Sequence, residues 1–127
     1  MSQAAAAGPA DRFPQAGPLS LTVEDSASTL ILRMAGDLDL AGVGQVMAAL
    51  DQVDVGHTTR LIFDLRELAF LDLAGLKTIL RANDHCRDHQ IPVTVIKPRG
   101  FASRVFTLTR VHLELDLVDA LPSDLTT

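Results

Sequence analysis

Asp37, Asp39, Asp64 and Asp72 are the residues whose type and placement could support chemistry in this chain. Asp37 and Asp39 follow a run with strand-like patterning, Asp64 lies within another, and Asp72 precedes a helical pattern. In open α/β sheets ligands gather beyond the carboxyl ends of strands. Carboxylates at such positions could hold Mg²⁺, and a phosphoryl group through it. The competing use is structural. Asp39 and Asp72 directly precede helical patterns, where a carboxylate accepts an N–H from the following first turn. The cap reading carries more weight, because Asp is common at such positions without any metal. No glycine-rich phosphate loop stands nearby, since Gly42-Val43-Gly44 is too short for one.

The histidines are His57, His85, His89 and His112. His85 and His89 have the i, i+4 spacing of a helical metal pair. However, His85-Cys86-Arg87-Asp88-His89 supplies no intervening glutamate, and there is no third ligand. A solvated helix face explains them better. Cys86 is the only cysteine, so it makes no internal disulfide, which fits a reducing compartment. Its helical phase points it inward, as a small hydrophobe. Ser103 lacks the Gly-x-Ser-x-Gly setting of a hydrolase nucleophile. No general acid, general base and oxyanion hole assemble from these residues. Binding is expected here, not catalysis, with no metal or cofactor.

Composition narrows the partner. The chain has 127 residues, enough for one domain, with a formal net charge of −5. An acidic surface without Trp or Tyr argues against nucleic acid, which needs cationic contacts and stacking rings. A hydrophobic content of 47% supports a packed core. No apolar run reaches the roughly 18–20 residues of a membrane span, and residues 1–9 lack the basic start of a secretory signal. A cytoplasmic location without direct membrane insertion is expected.

The elements that must position these residues follow from the apolar periods. Residues 1–18 carry Pro9, Pro14 and Pro18 with no periodicity, and read as a flexible tail. Residues 19–121 read as the domain, and 122–127 as a short polar end. Residues 19–23 alternate at period two, residues 24–28 supply turn chemistry, and residues 29–35 follow as a second β run, predicting an antiparallel hairpin. Val43, Val46, Met47, Leu50 and Val53 predict a helix over 41–54. Residues 60–65 predict a strand buried on both faces. Leu76, Ile79, Leu80, Asn83 and Cys86 mark the inner face of a helix over 73–89. A strand over 92–96, a helix around 101–108 and a short strand over 113–117 complete the order β-β-α-β-α-β-α-β. Helical crossovers require parallel neighbours. The expected fold is α/β: a mixed sheet opening with an antiparallel hairpin, then βα crossovers with helices packed on the sheet.

Two segments within this order resemble a known family. Gly36-Asp37-Leu38-Asp39 follows the second strand, and Phe70-Leu71-Asp72-Leu73-Ala74-Gly75-Leu76 opens the second long helix. Together they resemble the STAS domain of bacterial anti-sigma factor antagonists, whose patterns are Gly-Glu-Leu-Asp and Phe-(Leu/Met)-Asp-Ser-Ser-Gly-Leu. The resemblance covers about residues 19–121. It implies a regulatory protein that captures an anti-sigma factor of the histidine-kinase-like ATPase type and thereby frees a sigma factor. The partner surface it implies is Asp37, Asp39, Asp72, Leu73, Ala74, Gly75 and Lys77. In the family, the kinase ends capture by phosphorylating the first serine after the motif aspartate.

Here that position is Leu73, followed by Ala74, so the usual phosphoacceptor is absent. The resemblance then implies capture without phosphorylation at this site. Leu73 could equally pack into the core or meet a partner, with Lys77 and Arg81 as the rim of such a contact. Two other functions compete: a non-catalytic STAS subunit of a membrane transporter complex, and an enzyme with a metal site on the four aspartates.

Overall fold

The computed structural model describes residues 14–110 and 114–125. Residues 1–13 of the expected tail, His112, Leu113 at the start of the last expected strand, and residues 126–127 lie outside them. Five strands, β1 (Ser20–Ser26), β2 (Thr29–Leu38), β3 (Arg60–Leu71), β4 (Val93–Ile96) and β5 (Asp116–Val118), form one sheet in the order β1-β2-β3-β4-β5. β1 and β2 are antiparallel, and every later pair is parallel. The helices are α1 (Val43–Asp51), preceded by a 3-10 turn over Leu40–Gly42, α2 (Leu73–Asp88) and α3 (Gly100–Thr109). The mixed α/β architecture matches the expected order of elements.

The differences lie at element ends. The hairpin turn holds two residues, not five: Ala27 and Ser28 both have positive φ, and Ser26 pairs with Thr29. Such a turn matches the strand twist. Glu24 and Asp25 have turn-like chemistry, but an edge strand tolerates charge and keeps them paired with Ile31 and Leu30. β2 continues to Leu38 and β3 to Leu71, well past the expected ends. Register shifts between Arg33 and Ala35, and between Gly36 and Asp37, interrupt strict alternation there. The last strand starts at Asp116, with Glu114 and Leu115 before it outside the strand.

The core lies between the sheet and the helices. Leu32, Phe63, Leu65 and Val95 point from the strands toward Val46 and Leu50 of α1, Leu76 and Ile79 of α2, and Ala102 and Phe106 of α3. Ile31, Ile62 and Ile96 point to the opposite face, where Leu121 and Leu125 cover them. Arg60 pairs with Asp124 at 2.7 Å, so the segment read as a polar end lies on the back of the sheet. The back face also holds Asp64, whose carboxylate takes two hydrogen bonds from the Arg66 guanidinium at 2.9 and 2.8 Å. Arg33 approaches it at 3.6 Å and also pairs with Glu24.

Candidate functional site

The parallel strands β2 and β3 end side by side, with Leu38 opposite Leu71. The turns that follow them build the site. After β2, the Asp39 carboxylate accepts the Ala41 N–H at 3.1 Å and starts the 3-10 turn. After β3, the Asp72 carboxylate accepts the Gly75 N–H at 2.8 Å and starts α2. Both expected caps are present. The turns are joined because the Asp72 N–H donates to the Leu38 carbonyl at 3.3 Å. A Cβ on Gly75 would lie 2.3 Å from that same carbonyl oxygen, so only glycine allows the close approach.

Asp37 sits at the end of β2 beside a groove of about 400 Å³ lined by Pro18, Leu19, Asp39, Ala41 and Gln45. Its backbone N–H donates to the Gly17 carbonyl at 2.8 Å. Gly36 has φ +85°, and a Cβ there would lie 2.6 Å from the Pro18 carbonyl oxygen. Gly17 and Pro18, the end of the stretch read as a tail, therefore lie against this strand. The Asp37 Oδ1 atom is buried with no hydrogen-bond partner among the described residues.

Leu73, the first residue of α2, is 61% exposed, and Leu40 in the neighbouring turn is 75% exposed. Phe70 also reaches the surface. The structure thus decides between packing and exposure at Leu73. Ala74 is half-buried, Gly75 is buried, and Lys77 and Arg81 are exposed. Thr78, the nearest hydroxyl on α2, is buried and donates to the Ala74 carbonyl at 2.9 Å. Asp37, Asp39, Asp72, Leu73 and Gly75 are therefore brought together. Sequence patterning missed Leu40 and Phe70. Leu40 lies just outside the helix expected over 41–54, in a 3-10 turn that apolar spacing does not mark. Phe70 lies in the part of β3 beyond the expected strand end.

Asp64 does not join this cluster. Burial alone would raise its carboxyl pKa, but the hydrogen bonds and charge of Arg66, with Arg33 behind, outweigh burial and hold it below the ordinary value. The same hydrogen bonding raises the Arg66 guanidinium. The four aspartates are thus divided, with Asp64 on the back of the sheet and Asp37, Asp39 and Asp72 at the ends of β2 and β3. Among the described residues no three His, Cys, Asp or Glu side chains are grouped to hold a metal ion. His85 and His89 are exposed with ring centroids 4.7 Å apart, and the His89 Nδ1–H donates to the His85 carbonyl at 3.0 Å. Cys86 is buried, which pushes its thiol pKa up and disfavours the reactive thiolate. No helix among the described residues is long and apolar enough to cross a membrane.

Comparison with known proteins places this fold. The structure of an anti-sigma factor antagonist from Mycobacterium paratuberculosis has a TM-score of 0.73 at 23% identity, covering 84% of this chain and 92% of that one. The Bacillus cell fate determinant SpoIIAA in its phosphorylated form has a TM-score of 0.65 at 20% identity, covering 83% and 95%. The murine Slc26a9 anion transporter has a TM-score of 0.63 at 14% identity, covering 87% of this chain but 22% of that one. At these identities the likeness is one of fold. No curated protein matches the sequence. The family described as "Mlab, STAS domain" matches residues 21–119, most of the chain, and this protein therefore belongs to the STAS domain family.

Proposed function

We propose that this protein is a non-catalytic regulator in the manner of an anti-sigma factor antagonist, acting in the cytoplasm by binding an anti-sigma factor of the histidine-kinase-like ATPase type. The observation that carries this reading is the exposed Leu73 at the start of α2, beside exposed Leu40. An apolar side chain turned to solvent at the joined ends of two strands loses hydration cost when a partner covers it. Asp37, Asp39 and Asp72 border it with acceptors, and Lys77 forms a cationic rim. The fold likeness to anti-sigma factor antagonists supports the partner class.

Regulation differs from the family pattern. Leu73 and Ala74 carry no hydroxyl, and Thr78 is buried with its hydroxyl engaged. Capture by this protein is therefore not ended by phosphate at the start of α2. Incubated with the captured ATPase and ATP, the protein should gain no phosphate there, as intact-mass and fragment spectrometry would report. Phosphate on residues 72–78 would overturn this part of the reading.

A second reading, a STAS subunit of a membrane transporter complex, is favoured by the likeness to part of an anion transporter chain. Affinity capture from the source cell separates the two. The first reading expects a histidine-kinase-like ATPase retained by wild type and lost by Leu73→Glu. Retention of a transporter ATPase or permease would favour the second.

A further inference from the structure

Charge along this acidic chain is segregated. Between residues 97 and 110 there are four basic residues, Lys97, Arg99, Arg104 and Arg110, and no acidic one, although acidic residues outnumber basic ones 16 to 11 overall. This segment is α3 with its two flanks. Ala102 and Phe106 bury the inner face of the helix. At 100° per residue, the opposite side carries Phe101, Arg104 and Leu108, spaced i, i+3 and i+7. Phe101 is 64% exposed and Leu108 is 81% exposed. Lys97 is paired with Asp119 at 2.8 Å, but Arg99, Arg104 and Arg110 have no acidic partner among the described residues. An arginine between an aromatic and an aliphatic side chain on an open helix face has the composition of an interface centre.

The complementary surface is on the same molecule. Asp37, Asp39 and Asp72 have no cationic partner among the described residues, and exposed Leu40, Phe70 and Leu73 accompany them. These two patches hold five of the eight large apolar side chains exposed among the described residues. One patch is apolar and acidic at its centre, with Lys77 at its rim, and the other is apolar and basic. We propose that α3 of one copy docks, through Phe101, Arg104 and Leu108, on the acidic end of a second copy. Apolar contact supplies the attraction that persists in salt, and the opposed charges set orientation and speed encounter. Because the two patches differ, the contact is heterologous and either closes into a ring or extends. It also occupies Leu73, so self-association competes with any partner bound there.

Sedimentation velocity on the full chain tests this over a concentration series at about 50 mM and about 500 mM salt, where charge screening differs strongly. Wild type should associate, more weakly in high salt. Arg104→Glu and Leu73→Lys each set like charges against one another across the contact and should each raise the dissociation constant by about 30-fold or more. Their equimolar mixture should recover a heterodimer, because the first retains the acidic end and the second retains α3. If Leu73→Lys unfolds, Leu40→Lys replaces it. A wild type that stays monomeric, an Arg104→Glu variant that associates as wild type does, or a mixture that stays monomeric would each overturn the proposal. A monomer that sediments with vesicles of equal phosphatidylglycerol and phosphatidylcholine, but not with phosphatidylcholine alone, would assign α3 to an anionic membrane instead. No anti-sigma factor enters the experiment, so its failure leaves the partner reading standing.

Discussion

Asp64 and Asp72 lie eight residues apart, one within β3 and one at its end, yet their environments are opposites. Asp64 is buried on the back of the sheet, with its oxygens taken by Arg66 and Arg33 near. That carboxylate is engaged within the fold, accepting from the Arg66 backbone and guanidinium. Asp72 spends one oxygen on the Gly75 N–H and directly precedes the exposed Leu73. The difference lies in what surrounds each carboxylate. Where a charge is balanced by neighbouring charges, its role is internal; where capping leaves acceptors and apolar carbon at the surface together, a partner can complete the contact.

Substitutions can break this contrast in decreasing steps. Gly75→Ala should act most strongly. Its Cβ would meet the Leu38 carbonyl oxygen at 2.3 Å and Leu38 Cγ at 2.8 Å, both tied to the joined turns. A loss of about 3 kcal/mol in urea unfolding is expected, larger than the gain of about 1 kcal/mol in helix propensity. Asp64→Asn should cost about 2 kcal/mol, because it removes the charge that Arg66 and Arg33 balance, and should leave partner binding intact.

The pH dependence carries the same signature. The folded Asp64 carboxyl lies below its unfolded value of about 3.9, so its contribution is complete above that value and fades as pH falls through the folded one. Acid unfolding of Asp64→Asn should be flatter in that window than that of wild type. Asp72→Ala should cost about 1 kcal/mol, the usual loss of a helix cap, and should weaken binding. Removing residues 1–16 should change stability by less than about 0.5 kcal/mol. Extending the deletion through 18 also removes the Gly17 carbonyl from the Asp37 N–H, adding about 1 kcal/mol.

Much of the fold is legible because each period matches one element. The inner face of α2, with Leu76, Ile79, Asn83 and Cys86, lies where helical spacing puts it. Both aspartate caps are equally legible, since a carboxylate before a helical pattern has a specific acceptor role. The ends of β2 and β3 are not, because two register shifts break the alternation that marks a strand. The hidden end of β3 carries Phe70, and the 3-10 turn hides the exposure of Leu40, so two of the three exposed apolar side chains at this end escape a reading by period. Leu73 is ambiguous for another reason: the first residue of a helix can turn either way, and the packing beneath it decides.

The most direct test is calorimetric titration of the proposed anti-sigma factor partner with wild type and Leu73→Glu, with circular dichroism of both. The first turn of α2 tolerates a carboxylate, because free N–H groups and the helix dipole favour it by about 0.3–1 kcal/mol. A folded variant with affinity weakened about 30-fold to several thousandfold, corresponding to roughly 2–5 kcal/mol for an uncompensated charge beside Asp72, is the predicted result. A folded Leu73→Glu that binds with wild-type affinity would contradict the claim that this end of the sheet is the partner surface.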